Sequence, residues 1–209
     1  VRYARNSKLD IIENKELWSE VAANSFNSFD RDGEVSPLLS TTWNQDYPYN
    51  ALCPEDAEGP GGHVYAGCVA SAMAQMMKYW NKPIQGTGSN NYFAYGYGYQ
   101  SANFGATTYL WDEMPEAVGS LNIPVATLLY HCAVGVEMNF APDGSGSNGM
   151  RAQNAFVNYF SYPNATYVQK ADYSSTAWED LLKEQLDNGV PMYYSGSGTE
   201  VGHAWNCDG

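Results

Sequence analysis

Residues 62–80 read Gly62-His63-Val64-Tyr65-Ala66-Gly67-Cys68-Val69-Ala70-Ser71-Ala72-Met73-Ala74-Gln75-Met76-Met77-Lys78-Tyr79-Trp80. After the cysteine, apolar residues recur at the spacing i, i+3, i+4, i+7, i+8 and i+11: Val69, Ala72, Met73, Met76, Met77 and Trp80. This period predicts an amphipathic helix with one buried face. Lys78 lies near its end, where the helix dipole favours a cation, and Pro83 stops it.

Cys68 falls in the first turn of this predicted helix. The free N–H groups and the positive dipole end at a helix start favour a thiolate. Most free cysteines, by contrast, are small buried hydrophobic residues. Position alone therefore leaves two interpretations open, a structural thiol and a nucleophile presented by a glycine-containing loop.

The composition is that of a globular protein. Of 209 residues, 44% are hydrophobic and only 16% are charged, which suits one domain with room for two lobes. The net charge is −13 and the 10 basic residues do not cluster, so nucleic acid and anionic membrane surfaces are not expected as partners. No run of eighteen apolar residues predicts a membrane span.

The composition of the chain favours a location outside the cell. An acidic chain rich in Tyr, Gly, Asn and Ser is typical of an extracellular protein. No signal peptide is visible, and Val1 is not an initiator methionine, so we expect the chain to begin after processing or at an artificial boundary.

The cysteines and the acidic residues predict no metal site. Cys53, Cys68, Cys132 and Cys207 match no zinc or redox spacing, and we expect free thiols. The stretch 30–33 (Asp-Arg-Asp-Gly) resembles part of a calcium-binding loop, but this register places a leucine where a bidentate glutamate is needed. A turn is therefore expected there, and no metal or cofactor.

The rest of the chain predicts an α+β protein, with helices first and strands last. The expected elements are a short helix capped by Asn14, a strand or hairpin over 90–100, a helix over 124–137, a flexible loop over 141–149 followed by a helix, a helix over 178–186 ended by Asn188-Gly189, and strands over 190–194 and 201–207 joined by a turn at 195–198.

Two histidines and one glutamine are candidate partners of Cys68. His203 follows it by 135 residues and lies on a predicted strand, which would allow a thiolate–imidazolium pair. The alternative for His203 is a half-buried strand residue. His63 lies in a glycine-rich loop where we expect poorly fixed geometry, so it ranks below His203. Gln45, between two aromatic residues, is either a surface amide or a positioned donor.

Five segments together resemble the streptopain family of secreted bacterial cysteine peptidases. They are Gln45 with Pro48-Tyr49-Asn50, residues 66–79 around Cys68, Gly144-Ser145-Gly146-Ser147, Pro191-Met192-Tyr193-Tyr194, and Gly202-His203-Ala204. The match runs in order from about Pro37 to Gly209. The blocks around Cys68 and His203 are the specific ones, whereas the glycine-serine loop is weak on its own.

The resemblance implies a papain-like two-lobe fold, with the cysteine on a helical lobe and the histidine on an antiparallel β lobe. It implies endopeptidase activity on protein substrates, with Cys68 as nucleophile and His203 as general acid and base. The Gln45 side chain and the Cys68 backbone N–H would form the oxyanion hole. Residues Gly144, Ser145, Gly146, Ser147 and Gly202 would border the substrate cleft.

The same resemblance implies a zymogen with an inhibitory N-terminal prodomain, and a division of this chain at residue 34. Residues 1–34 would be the end of a prosegment or a linker, and residues 35–209 the peptidase domain. In the family an Asn-Trp-Gly-Trp-type segment follows the histidine strand and orients the histidine. This sequence stops six residues after His203, so we expect the domain, as given, to lack its last strands.

Two other functions fit parts of the pattern. One is a secreted binding or adhesion module on a peptidase scaffold, suggested by the Tyr- and Gly-rich stretch 92–99. The other, weaker one is a transglutaminase-like acyltransferase, which uses the same Cys and His chemistry.

Overall fold

The computed structural model describes residues 34–198 and 202–209. Its helices are α1 (Cys68–Trp80), α2 (Ile123–Gly135), α3 (Gly149–Asn158) and α4 (Ser175–Asp187), and its strands are β1 (Asn90–Ala94), β2 (Gly98–Ala102), β3 (Met192–Ser197) and β4 (Gly202–Cys207). Short 3-10 turns lie at Pro60–Gly62, Phe104–Ala106, Trp111–Glu113 and Lys170–Asp172. The predicted Asn14 helix and the 30–33 turn lie outside the described residues.

Helix α1 begins at Cys68, as the apolar period predicts. Val69, Ala72, Met73 and Met77 are buried on its inner face. The helix ends where Asn81 adopts a left-handed conformation (φ 47°), and its N–H donates to the Lys78 carbonyl. The N–H of the next residue reaches back to Met77, which completes a Schellman-type cap. The helix is therefore held at its end by backbone bonds and along its length by packing.

The other helices begin at side-chain caps. Asn122 accepts from the Val125 N–H at 2.9 Å, Asn148 from Arg151 at 3.0 Å, and Ser174 from Ala177 at 3.2 Å. Each cap satisfies one of the free N–H groups of a first turn. Helix α2 is the central one, and the core residues that it buries include Val125, Leu128, Leu129 and Cys132. It packs against α1, α3 and the first hairpin.

The strands form two antiparallel hairpins. Strands β1 and β2 pair from Asn90 opposite Ala102 to Ala94 opposite Gly98, so the 90–100 stretch is a hairpin between α1 and α2. Strands β3 and β4 pair from Met192 opposite Cys207 to Ser197 opposite Gly202. The mixture of helices and antiparallel strands confirms the α+β prediction.

The predicted turn at 195–198 is wrong for its first three residues, which continue β3. The glycine that suggested a turn has a packing role instead. A Cβ on Gly196 would lie 3.2 Å from the Trp205 ring on the neighbouring strand. Glycine in a strand often marks such a close approach, and here it lets a cross-strand indole lie over the backbone.

An extended segment that begins near Leu38 contacts both the end of β4 and helix α1. The N–H of Leu38 donates to the Asp208 carbonyl at 2.9 Å, and the N–H of Leu39 donates to the Asp208 carboxylate at 3.0 Å. The chain then continues along α1, where Trp43 is buried. This segment therefore connects the end of β4 with the helix that carries Cys68. No helix within the described ranges is both long and apolar enough to cross a membrane.

Candidate active site

An open cleft of about 340 Å³ lies between α1, the extended segment and β4. Its lining residues are Leu39, Thr41, Trp43, Asn44, Gln45, Cys68, Ser71, Ala72, Gln75, His203, Ala204, Trp205, Asn206 and Asp208. Three residues far apart in the sequence, Gln45, Cys68 and His203, thus meet at one concave surface. This happens because β4 packs against α1 through the buried side chain of Ala204.

Cys68 is the first residue of α1 and is half-buried. The preceding Gly67 has φ 91° and ψ 145°, a conformation that side-chain-bearing residues rarely adopt. A Cβ on Gly67 would lie 2.7 Å from the Met138 side chain and 3.0 Å from the Ser145 carbonyl oxygen. Glycine is therefore required for the loop to turn into the helix and present Cys68 at the cleft.

The other three cysteines have surroundings that keep them protonated. Burial raises the pKa of the Cys53 thiol to about 12 and raises that of Cys132 further. Partial burial, together with the neighbouring Asp208 carboxylate, raises the pKa of Cys207. All four cysteines are free thiols, as expected, and Cys68 is the one that lines the cleft.

Gln45 is fixed by its backbone beside the approach to Cys68. Its carbonyl accepts from the Ala66 N–H at 2.9 Å, and its N–H donates to the Asn44 side chain at 2.8 Å. Gln45 lines the same cleft as Cys68, at the start of α1, where the first N–H groups of a helix have no partner within the helix. An amide N–H and a helix N-terminus can together stabilise a developing oxyanion.

His203 lies on the exposed face of β4. Its ring stacks on that of Trp205, with centroids 6.2 Å apart and an interplanar angle of 19°. The Trp205 ring lies 5.2 Å from that of Tyr194, whose hydroxyl accepts from the Trp178 indole N–H at 3.0 Å. A row of aromatic rings therefore runs from α4 to the imidazole and restricts its orientation.

The glycine-serine loop does not line this cleft. Ser145 is buried, and its hydroxyl lies 3.0 Å from the Ala141 N–H, which donates to it. Gly146 exchanges two backbone hydrogen bonds with Asn139. The loop expected to be flexible is thus tied down over Ser145–Gly146, and Gly144 beside them has an open side. The loop adjoins the site at Gly67, because the Ser145 carbonyl oxygen faces this residue in the turn before Cys68.

Two further predicted site residues lie near the ends of these elements. Ser147 lies one residue before the cap of α3, and its hydroxyl donates to the Val136 carbonyl at 2.8 Å. Gly202 is exposed, begins β4 and adjoins His203, but it is not part of the cleft lining. The cleft therefore unites Cys68, His203 and Gln45 and leaves the five predicted substrate-contacting residues outside its wall.

The expectation of poorly fixed geometry at His63 is wrong. Its Nδ1 lies 2.8 Å from the Cys53 carbonyl oxygen, to which it donates, and its backbone forms a bridge with Glu55. The buried Asn50 side chain holds the same loop through the carbonyls of Pro60, His63 and Val64. His63 is not among the residues that line the cleft.

Sequence reasoning assigned no role to three residues that the structure brings to the site: Ser71, Gln75 and Trp205. The helical period could have found Ser71 and Gln75, because positions i+3 and i+7 share a face with Cys68. The strand period of two could have found Trp205, which must lie on the same face as His203. Across residues 34–198 and 202–209, no cluster of three or more His, Cys, Asp or Glu side chains could hold a metal ion.

A cysteine at a helix start and a histidine on an antiparallel strand, facing one cleft in an α+β fold, define a papain-like protein. The model of the Peptidase C10 family matches residues 43–209, and the chain belongs to that family. The resemblance to streptopain is therefore confirmed, as is the fold class.

Among curated proteins, the chain is 30% identical over 200 residues to thiol protease/hemagglutinin PrtT of Porphyromonas gingivalis, covering 86% of this chain and 22% of that protein. It is 29% identical over 188 residues to streptopain of Streptococcus pyogenes, covering 80% of this chain and 47% of streptopain. The chain thus spans less than half the length of these curated relatives.

Among solved structures, the active wild-type interpain A cysteine protease of Prevotella intermedia has a TM-score of 0.75 and 36% identity, covering 82% of this chain and 75% of that one. A prointerpain A fragment from the same organism has a TM-score of 0.77 and 33% identity, covering 92% and 65%. These neighbours favour the peptidase interpretation over the adhesion module.

Proposed function

We propose that this chain carries the catalytic machinery of a secreted bacterial cysteine endopeptidase, which hydrolyses protein or peptide substrates through an acyl-thioester on Cys68. The observation that supports it most is the shared cleft of Cys68, His203 and Gln45. Membership of the Peptidase C10 family and likeness to proteins named as thiol or cysteine proteases support it independently.

In the first half-reaction, the Cys68 thiolate attacks the scissile carbonyl carbon, and the carbonyl π electrons move to oxygen. The Gln45 amide and the Cys68 backbone N–H donate hydrogen bonds to this oxyanion. The His203 imidazolium then gives its proton to the leaving amine as the C–N bond breaks. The acyl group remains on sulfur as a thioester.

In the second half-reaction, neutral His203 takes a proton from water, which attacks the thioester carbonyl. The C–S bond breaks, the carboxylic acid product leaves, and the thiolate–imidazolium pair is restored. The cleft is open to solvent at His203, which is exposed, so water can reach the thioester.

The substrate would extend beyond the cleft on both sides. Gly144, Ser145, Gly146 and Ser147 would border it beyond Gly67, and Gly202 would border it beside His203. The position of the Ser145 carbonyl supports this placement, because its oxygen packs directly against Gly67, in the turn that precedes Cys68.

An N-terminal prodomain is the proposed inhibitory partner. A pro-form exists among the structural neighbours, since one of them is a fragment of prointerpain A. In this proposal residues 1–34 are the flank that joins such a prodomain to a peptidase domain starting at residue 35. The same family relation and the acidic composition, with a net charge of −13, support secretion.

The test is hydrolysis of casein by the full protein and by Cys68→Ala, His203→Ala and His63→Ala. The first two substitutions should abolish cleavage, because they remove the nucleophile and the proton carrier. His63→Ala is the matched histidine control outside the cleft, and it should retain cleavage in proportion to its folded fraction. Cleavage that survives Cys68→Ala would refute the proposal.

Product analysis separates hydrolysis from acyl transfer to amines. In H₂¹⁸O with added primary amine, an endopeptidase incorporates ¹⁸O into the new carboxyl termini. A transglutaminase-like enzyme instead joins the amine to glutamine side chains without cutting the backbone. Mass spectrometry distinguishes these products, and amine incorporation alone would overturn the peptidase assignment.

A further inference from the structure

One face of helix α1 carries more than the candidate nucleophile. Ser71 and Gln75 follow Cys68 at i+3 and i+7, so the three side chains lie in one row along the helix. All three line the cleft. Another face of the helix lies in the core, where Met73, Ala74 and Met77 are buried. Polar side chains such as these, where they are partly buried, require polar partners across the cleft.

The partner is the segment 41–45, which ends at Gln45. The Gln75 side-chain oxygen accepts from the Thr41 hydroxyl at 3.1 Å and from the Trp43 backbone N–H at 3.2 Å. One amide oxygen therefore binds the segment at two points, two and four residues before Gln45. Both bonds are partly buried, which protects them from competing water.

Ser71 holds the same segment one residue before Gln45. Its hydroxyl lies 3.2 Å from the Asn44 carbonyl oxygen and 3.2 Å from the Gly67 carbonyl oxygen, and it donates its proton between them. It thus bonds at once to the oxyanion segment and to the turn that precedes Cys68. On the far side, the Trp43 indole N–H donates to the Pro115 carbonyl at 2.8 Å.

We propose that Gln75, assisted by Ser71, is a positioning residue that holds the Gln45 amide at a fixed distance from Cys68. The inference rests on the proposed function and deepens it. The same rigid helix then carries the nucleophile and sets the place of the oxyanion donor. Such geometry matters because an oxyanion donor acts only within about 2.7–3.1 Å of the developing charge, and a displacement of about 1 Å costs on the order of 100-fold in rate.

The chemistry of residue 75 makes the inference specific. Methionine has a similar length to glutamine, but its thioether sulfur is only a weak acceptor, so Gln75→Met removes the amide oxygen that binds the Trp43 N–H and the Thr41 hydroxyl. Glutamate keeps an acceptor oxygen at the same position, so Gln75→Glu should preserve both bonds. Neither substitution removes an atom that touches the substrate's reacting carbonyl.

The experiment compares kcat and KM for peptide hydrolysis by the full protein carrying Gln75→Met, Gln75→Glu, Gln45→Ala and the double substitution Gln75→Met with Gln45→Ala. Gln75→Met should lower kcat about 10- to 100-fold with KM nearly unchanged, because the lost contact acts only in the transition state. Gln75→Glu should restore most of that loss. The double variant should be no slower than Gln45→Ala, because both losses act through one donor.

Multiplicative losses in the double variant, or a loss in Gln75→Met that Gln75→Glu does not restore, would overturn the proposal. Ser71→Ala is the second probe, in case Gln75→Met does not fold. It should lower kcat about three- to tenfold, and only while Gln45 is present. A Ser71→Ala loss that persists in the Gln45→Ala background would count against positioning.

The iodoacetamide reaction of Cys68 separates this proposal from the proposed function. Alkylation forms no oxyanion, so Gln75→Met should leave its rate within about twofold of the unmodified protein. A Gln75→Met protein whose Cys68 no longer reacts has lost the helix start rather than the donor, which contradicts the inference. If Cys68→Ala hydrolyses peptides as well as the unmodified protein, the proposed function itself fails.

Discussion

Helices α1 and α2 each contain 13 residues and pack against one another, and each carries a cysteine. Cys68 on α1 lines an open cleft that is also lined by His203, 135 residues further along the chain. Cys132 on α2 follows His131 directly, and both are buried. The adjacent pair is thus in the core and the distant pair is at a surface. Sequence proximity of Cys and His is not what makes a candidate catalytic pair.

The surroundings of His131 explain why it stays neutral. Burial lowers its pKa to about 4, the Tyr109 hydroxyl lies 3.0 Å from its Nδ1, and the Phe104 ring meets it edge-on at 5.4 Å. Cys132 lies 3.8 Å from the Met77 sulfur, and burial raises its pKa. In such surroundings neither side chain carries charge near neutral pH. A cleft lets Cys68 and His203 exchange protons with a substrate and solvent, and the core does not.

The largest difference between the two cysteines should be in catalysis. Cys68→Ala should lower kcat by at least roughly 10⁴-fold, because the covalent step has no nucleophile. Cys132→Ala should leave kcat unchanged and reduce the free energy of unfolding by about 1–2 kcal/mol, since it leaves a small cavity in the core. Peptide hydrolysis and urea denaturation measure the two effects. A large loss of kcat in folded Cys132→Ala would contradict the contrast between cleft and core.

The second difference is in reactivity with iodoacetamide near neutral pH. Cys68 should be labelled roughly 100-fold faster than Cys53, Cys132 or Cys207, because burial keeps those three as inaccessible or protonated thiols. Peptide mapping after timed labelling measures the four rates. Equal, slow labelling of all four would mean that the position at the helix start does not activate Cys68.

The third test concerns His131 and the pH dependence of stability. The pKa of His131 is about 4 in the folded protein and about 6.5 in the unfolded chain, so the unfolded chain binds more protons between these values. The free energy of unfolding should therefore fall by about 3 kcal/mol as the pH drops from 6.5 to 4.

His131→Gln isolates this contribution, because glutamine keeps a polar partner for Tyr109 but does not titrate. Urea denaturation at pH 4, 5, 6 and 7 should show a weaker pH dependence for His131→Gln than for the unmodified protein. Subtracting the free energies of unfolding of the two proteins removes the contribution of carboxyl groups that both contain. Asp56 is one of them, and its hydrogen bond with Tyr97 lowers its pKa. Parallel pH curves for the two proteins would show that His131 is not held neutral by burial.

The weakest effect should come from the aromatic ring beside His203. Trp205→Leu removes the ring that stacks on His203 and should lower kcat about fivefold, in line with about 1 kcal/mol for an aromatic contact. Trp205→Phe keeps a ring face and should recover part of the activity. Steady-state kinetics across pH provide the measurement. Identical kinetics for the leucine and phenylalanine variants would show that stacking does not orient His203.

Much of the helical structure follows from local patterns. The period of the apolar residues predicts α1 and α2 closely, and Asn188-Gly189 ends α4 as expected, with Gly189 at φ 69°. These signals are local, because a helix depends on neighbours within four residues. The prediction of a turn at 195–198 was wrong for its first three residues because a contact distant in the sequence determines the structure there. In the local sequence Gly196 indicates a turn. In the structure a glycine is needed at this position because the Trp205 ring on the next strand packs against it.

The candidate site divides in the same way. The helix start placed Cys68 but left its role open, and the roles of Cys68, His203 and Gln45 needed the resemblance to a family. No local pattern relates residues so far apart. Ser71 and Gln75 were visible on the helical wheel but had no assigned partner. Their role requires the segment 41–45 to lie across that face, which no property of α1 by itself implies.

The order of residues along the chain was enough to place Cys68, because Gly67 and the apolar period after it specify a helix that begins at that residue. It was also enough to identify the family, through blocks of residues spread along the chain. The resemblance singled out His203 and Gln45, but only the folded arrangement shows that they line one cleft with Cys68. The reason is physical: a helix start depends on backbone groups within one turn, whereas a cleft exists only once β4 and the segment 41–45 pack against α1.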